Sequence, residues 1–159
     1  MNYMRLLKLL YIADRESLKE TGRPITGDKV VAMKRGPVLS RVLNLIKDKH
    51  TQSPYWERYI QKEFYHISLA KDPGVSQLSP FEVETLNRVA EKYVTFDETD
   101  MVDETHTFPE WIKNQAGDSS APIPLEDILE AVGRSGDTKS ILQDAKDDAA
   151  YDRVFGSLS

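Results

Sequence analysis

Two sharp backbone corners, at Gly22-Arg23-Pro24 and at Gly36-Pro37, break up two apolar helical patterns between Lys8 and Ile46, KLLYIADRESLKETGRPITGDKVVAMKRGPVLSRVLNLI, and this order constrains the fold more than any other feature. Residues 3 to 21 predict a helix of good helix formers, in which Leu6, Leu7, Leu9, Leu10, Tyr11, Ile12 and Ala13 are apolar on nearly every side. Beyond them Leu18 stands alone among polar residues. A segment that is apolar all round has to be buried centrally. Gly22 suits the left-handed position just past a helix and Pro24 prevents continuation, so the stop has a mechanism. Lys29 to Met33 reads as a short strand from its Val30-Val31 pair, with a helical turn as the alternative. After Gly36-Pro37 a helix is predicted from about Val38 to Lys49, with Leu39, Val42, Leu43 and Ile46 on one face.

Farther along, aromatic and β-branched residues bracket Gln61, Lys62 and Glu63, and the stretch from Trp56 to Leu69 predicts a β-hairpin. Ser79-Pro80-Phe81-Glu82 supplies an N-cap, a proline at the first helical position and a glutamate at the third, so a helix should run from there to about Val94. A short helix is expected from about Glu98 to Thr107, followed by a proline-containing loop to Pro124. Two final helices follow, from Leu125 to Val132 and from Thr138 to Phe155, the second rich in Asp and Lys and peripheral. The expected fold class is mainly α, a single helical domain over 1–159 with a small antiparallel β-hairpin at about 56–69.

A chain of 159 residues buries about 70% of the surface that its unfolded form exposes, enough for one self-sufficient core. No apolar run approaches the ~20 residues of a membrane span, and no charged-then-apolar leader is present, so the chain reads as a cytoplasmic protein without membrane contact. With no cysteine there is no disulfide framework, thiolate zinc site or cysteine nucleophile. The net charge of −5 conceals an asymmetry. Through Pro80 there are 14 Lys and Arg against 8 Asp and Glu, and after it 7 against 18. The basic first half either complements the acidic second half internally or meets an acidic partner or phosphate.

Catalytic chemistry finds no foothold in the sequence. His50, His66 and His106 fall in no metal-ligand spacing, and neither a GxSxG elbow nor a phosphate-binding glycine loop is present. His106, after Asp103 and Glu104, could act as a general base, but the plainer reading has it hydrogen-bonding a helix end while Trp111 fills the core. Asp14 and Glu16 are two apart on a helix and diverge, a solvated or ion-paired rim rather than an acid pair. The expectation is therefore no enzyme, no metal and no cofactor. What survives is a basic set at the two corners, Arg23, Lys29, Lys34, Arg35 and Arg41, held by backbone that glycine and proline redirect. Tyr55 and Trp56 are further contact candidates, although core packing is the more ordinary role for Trp56.

The Lys8 to Ile46 run, with YWERYI at Tyr55 to Ile60, YHISLAKDPG at Tyr65 to Gly74, LSPFEVETLNRVAEKY at Leu78 to Tyr93 and THTFPEW at Thr105 to Trp111, resembles the Panacea domain, the SocA-like antitoxin domain, in the same order and over roughly residues 4 to 135. Gly22, Pro24, Gly36, Pro37, His106, Pro109 and Trp111 are motif positions of that resemblance. Members of the family usually carry a further helix ahead of Lys-Leu-Leu-Tyr, so either the natural start lies upstream or the first helix here does without that cover. The resemblance implies an antitoxin of a toxin-antitoxin pair, or a close relative in phage defence, that neutralises a cognate protein toxin by direct binding; the residues themselves place the expected partner contacts at Arg23, Lys34, Arg35, Arg41, Tyr55 and Trp56. Two other functions stay open. One is a nucleic-acid-binding regulator of its own operon, disfavoured by the negative total charge and the lack of a dense Lys/Arg row. The other is an adaptor that hands a toxin to a protease. Oligomeric state is not legible.

Overall fold

The computed structural model describes residues 1–155, with backbone alone for 152–155. The final residues of the peripheral segment expected at 136–159 lie outside the described ones. α1 (Tyr3–Thr21) is the axis on which the rest is assembled. The Asn2 side chain accepts from the Met4 N–H to start it, and Gly22, at φ 75, ends it by donating its N–H to Leu18 O. Leu7, Tyr11, Ile12, Ala13 and Leu18 are buried, whereas Leu6 and Leu10 are half-buried, so the helix is central but has one less covered side.

β1 (Val30–Met33) and β2 (Gly36–Leu39) form an antiparallel hairpin with Met33 opposite Gly36, and β5 (Ala121–Pro122) joins the other edge of β1. The helix expected from Val38 to Lys49 is thus shorter: Val38 and Leu39 belong to a strand, and α2 spans Ser40–Ile46. Val38 and Leu39 are buried in register with Val31 and Val30, and β-branched or bulky apolar residues suit that pairing. The start of α2 is fixed from outside the helix. The Asp28 carboxylate accepts from the Arg41 and Val42 N–H groups at 2.9 Å each, doing the work of an N-cap.

α3 (Ser53–Trp56) precedes a second antiparallel pair, β3 (Ile60–Glu63) and β4 (His66–Leu69). The hairpin expected at 56–69 is therefore confined to 60–69, with Trp56 in α3. Its turn is Phe64-Tyr65, not the polar Gln61 to Glu63 stretch, because Glu63 is paired with His66. α4 (Pro80–Lys92) begins as the sequence dictates, with Ser79 Oγ accepting from the Glu82 N–H. α5 (Glu98–Thr105) opens on a reciprocal capping box between Asp97 and Asp100. Where a loop was expected after Thr107, Pro109 opens α6 (Pro109–Asn114) from its first turn. α7 (Leu125–Ala131), a 3₁₀ turn at Ser135–Asp137 and α8 (Thr138–Phe155) complete the described chain. α8 is anchored by Ile141, buried beside Gly22, and is otherwise largely exposed.

The result is a mainly helical fold with small antiparallel sheets, whose core runs from Leu7 and Leu39 through Met101 and Trp111 to Leu129. Among the described residues no helix is long and apolar enough to cross a membrane.

Candidate functional site

The two corners and the THTFPEW segment, distant in sequence, converge on the middle of α1. Lys8 is buried, and its Nζ donates to Pro37 O at 2.7 Å. Burial, and secondarily repulsion from Arg35, lowers the Lys8 pKa to about 7. Gly36 sits against this amine at φ 105. A Cβ there would lie 2.7 Å from Thr105 Oγ1 and 3.0 Å from Lys8 Nζ, so only glycine fits the close approach and the backbone conformation together. On the opposite strand, Trp111 Nε1 donates to Met33 O at 2.9 Å. Two buried side chains thus grip the backbone on either side of the Lys34-Arg35 turn. The exposed tip is held in one position by buried chemistry.

One turn farther along α1, Glu110 is buried and accepts from Tyr11 Oη at 2.7 Å and from Arg15 Nε at 2.6 Å. The Arg15 guanidinium also lies 4.1 Å from the Phe108 ring centroid. This ion pair ties α6 to α1 and thereby fixes Trp111. Burial, and then the neighbouring Glu110 carboxylate, raise the Tyr11 pKa well above that of a free phenol. Asp14 is not the solvated rim that its spacing suggested. It is buried, accepting at 2.8 Å from the Ile25 and Thr26 N–H groups and also from the Thr26 hydroxyl. Burial raises its pKa, against the opposing effect of those hydrogen bonds.

His106 also departs from expectation. Its ring stacks on Trp111, with centroids 4.1 Å apart and planes within 5°, and its buried Nε2 has no hydrogen-bond partner among the described residues. It packs the indole in place instead of bonding a helix end through that nitrogen. The other histidines lie elsewhere: His50 Nδ1 accepts from the Gln52 N–H, and His66 sits on β4 beside the N-terminal ammonium.

The contact candidates do not form one patch. Lys34 and Arg35 occupy the tip of β1–β2, where Lys34 meets Asp118 at 3.0 Å with both side chains well exposed. Arg23 and Arg41 line a different feature, a groove of about 700 Å³ with Leu18, Ile128 and Ile141 in its lining. Arg23 reaches Asp148 of α8 there at 3.5 Å, and Arg41 donates to Thr26 O at 3.3 Å. Tyr55 is exposed on α3 and packs on Tyr59, with centroids 5.5 Å apart, while Trp56 is half-buried against the core. Lys8, Tyr11, Arg15, Thr105 and Glu110 escaped the sequence reading. The signal for Lys8 was present in its position, a lone cation inside the leucine run that must be buried.

The family model for the antitoxin SocA-like, Panacea domain matches residues 6–112. The chain belongs to this family. The matched span holds every member of the Lys8, Glu110 and Trp111 arrangement and both strands it grips, while α7 and α8 stand outside it. No curated protein and no solved structure matches the chain. Membership of the SocA-like antitoxin family implies a toxin partner in general terms.

Proposed function

We propose that this Panacea-domain chain is an antitoxin that neutralises a cognate protein toxin in the cytoplasm by binding it directly, without catalysis, metal or cofactor. The family match over residues 6–112 carries this reading. The arrangement around α1 supports it by giving the buried polar residues of the matched span a mechanical task. Lys8, Glu110 and Trp111 are spent on holding a hairpin, and the groups left in solvent at its tip are the cations Lys34 and Arg35. A surface held rigid before binding loses less entropy on binding.

The proposed contact has Lys34 and Arg35 steering an acidic surface of the toxin, with Arg23 and Arg41 as a second cationic area at the groove. Charges at an interface rim act chiefly on association rate and its salt dependence. Lys34→Glu with Arg35→Glu should therefore slow association and flatten its dependence on salt. Exposed charges contribute about 0–1 kcal/mol to stability, so the double variant should fold.

The test is growth rescue in cells expressing the product of the adjacent reading frame. Wild type should rescue equally in hosts with and without their ATP-dependent proteases, and the double reversal should rescue less. Rescue that disappears in protease-deficient hosts would make the chain an adaptor and overturn neutralisation by binding alone.

A further inference from the structure

We propose that the Phe64-Tyr65 turn of the β3–β4 hairpin is the apolar anchor of the partner contact, inserting into an acidic-rimmed apolar cleft of a folded toxin. This inference rests on the direct-binding reading above and adds to it a second surface with a different task. Phe64 is 85% exposed and Tyr65 70% exposed, and Tyr55, Leu69 and Met1 are exposed around the same hairpin. Two adjacent aromatic side chains left in solvent at one turn mark an interaction surface, whereas single exposed apolar residues do not.

The backbone makes the case sharper. Phe64 sits at φ 55, a region where a bulky side chain is an outlier and where Asn, Asp or Gly is the ordinary occupant of a two-residue turn. A phenyl ring is thus held at a strained position and pointed at solvent, where it contributes nothing to the core. The turn is nevertheless firmly rooted. Along β4, the Tyr3 N–H donates to Tyr65 O at 2.8 Å, the Ile67 N–H to Met1 O at 2.7 Å, and the terminal ammonium to Ile67 O at 2.8 Å. Tyr65 also packs on Tyr3, with centroids 6.0 Å apart. The hairpin is fixed to the first turn of α1, while the outer edge of β3 pairs with no other strand among the described residues.

Charge selects the partner. In a chain of net charge −5, the segment from Tyr55 to Lys71 carries Arg58, Lys62 and Lys71 against Glu57 and Glu63. The three cations form no ion pair with a described residue; Arg58 lies 5.9 Å from the Tyr55 ring and Lys71 6.0 Å from the Tyr59 ring. Aromatic groups at the turn, with unpaired cations along β3 at Lys62 and at the base of the hairpin at Arg58 and Lys71, complement an apolar cleft with carboxylates at its rim. Aromatic anchors dominate binding energy and so govern dissociation, whereas the Lys34-Arg35 tip governs association.

The experiment measures binding kinetics to the immobilised product of the adjacent reading frame, using wild type, Phe64→Asn, and Phe64→Asn with Tyr65→Ser. Asn tolerates the left-handed conformation, so Phe64→Asn should melt at or above the wild-type temperature. Its dissociation should nevertheless be roughly thirtyfold faster or more, with association changed less than about twofold. Phe64→Trp should restore slow dissociation. A folded double variant that dissociates at the wild-type rate overturns the anchor while leaving direct binding standing. If wild type forms no complex, direct binding fails and the anchor falls with it. Loss in the double variant of wild-type binding to oligo-dT, of binding to anionic vesicles, or of a wild-type dimer, with the toxin complex unchanged, would assign the hairpin to that other surface and also overturn it.

Discussion

Buried Lys8 should make the protein more stable as pH rises above neutrality. The unfolded chain keeps the lysine proton to about pH 10.4, whereas in the fold burial and Arg35 bring release down to about 7. Between these values the unfolded state holds more protons, so stability rises with pH and is lost as pH falls through the folded value. From pH 7 to pH 9 the gain is about 2 kcal/mol, which for a chain of this length is a rise in Tm of about 4–8 °C. Tyr11 and Tyr93 do not obscure this window. Both are pushed up, Tyr93 to about 12 mainly by burial, so their effect falls above the free-phenol range near pH 10. Lys8→Met replaces the amine with an apolar chain of similar length and should abolish the slope, whatever the loss of the bond to Pro37 O does to absolute stability. Arg35→Glu should move the midpoint to higher pH, because attraction replaces repulsion. Urea unfolding at several pH values measures all three. A flat wild-type profile from pH 7 to 9, or the same slope in Lys8→Met, would refute the buried, proton-shedding lysine.

Leu7 is fully buried and Leu10 half-buried, so Leu7→Ala should cost about 2–5 kcal/mol and Leu10→Ala clearly less in chemical denaturation. Gly36→Ala combines a left-handed backbone with contacts to Thr105 and Lys8, and should cost about 2 kcal/mol or more; Gly27→Ala, also left-handed but in open space, should cost about 1 kcal/mol. Glu110→Gln leaves Arg15 without its buried counter-charge and should cost about 3 kcal/mol by the same measurement, with a loss below 1 kcal/mol showing that the pair does not tie α6 to α1.

The helices with local punctuation were legible in the sequence. α1 has Gly22 and Pro24 at its end, and α4 and α5 start at Ser79 and near Glu98 with side-chain caps close in sequence. What escaped the sequence was decided by partners far along the chain. The start of α2 is set by Asp28 across the hairpin, so a face drawn from Leu39 to Ile46 could not reveal that Leu39 is paired with Val30. Polar residues were misjudged for the same reason. Asp14 looks exposed from its neighbours and is buried by the loop it bonds, and Glu110 is one letter of a short motif until α1 brings Tyr11 and Arg15 to it. The predicted cations split into two areas because β1 and β2 carry Lys34 and Arg35 away from Arg23 and Arg41. Phe64 gave no warning in the sequence, since hydrophobicity alone suggested a strand residue and only the backbone places it at an exposed turn.

Direct neutralisation is the central claim, and calorimetric titration of the purified chain into the purified product of the adjacent reading frame tests it most directly. The account predicts a saturable complex of fixed stoichiometry that co-elutes as one species and that the Lys34→Glu, Arg35→Glu variant forms more slowly. No heat and no co-elution from a pair that still shows growth rescue in cells, together with binding of the operon's promoter DNA by the chain alone, would contradict it and make the protein a regulator.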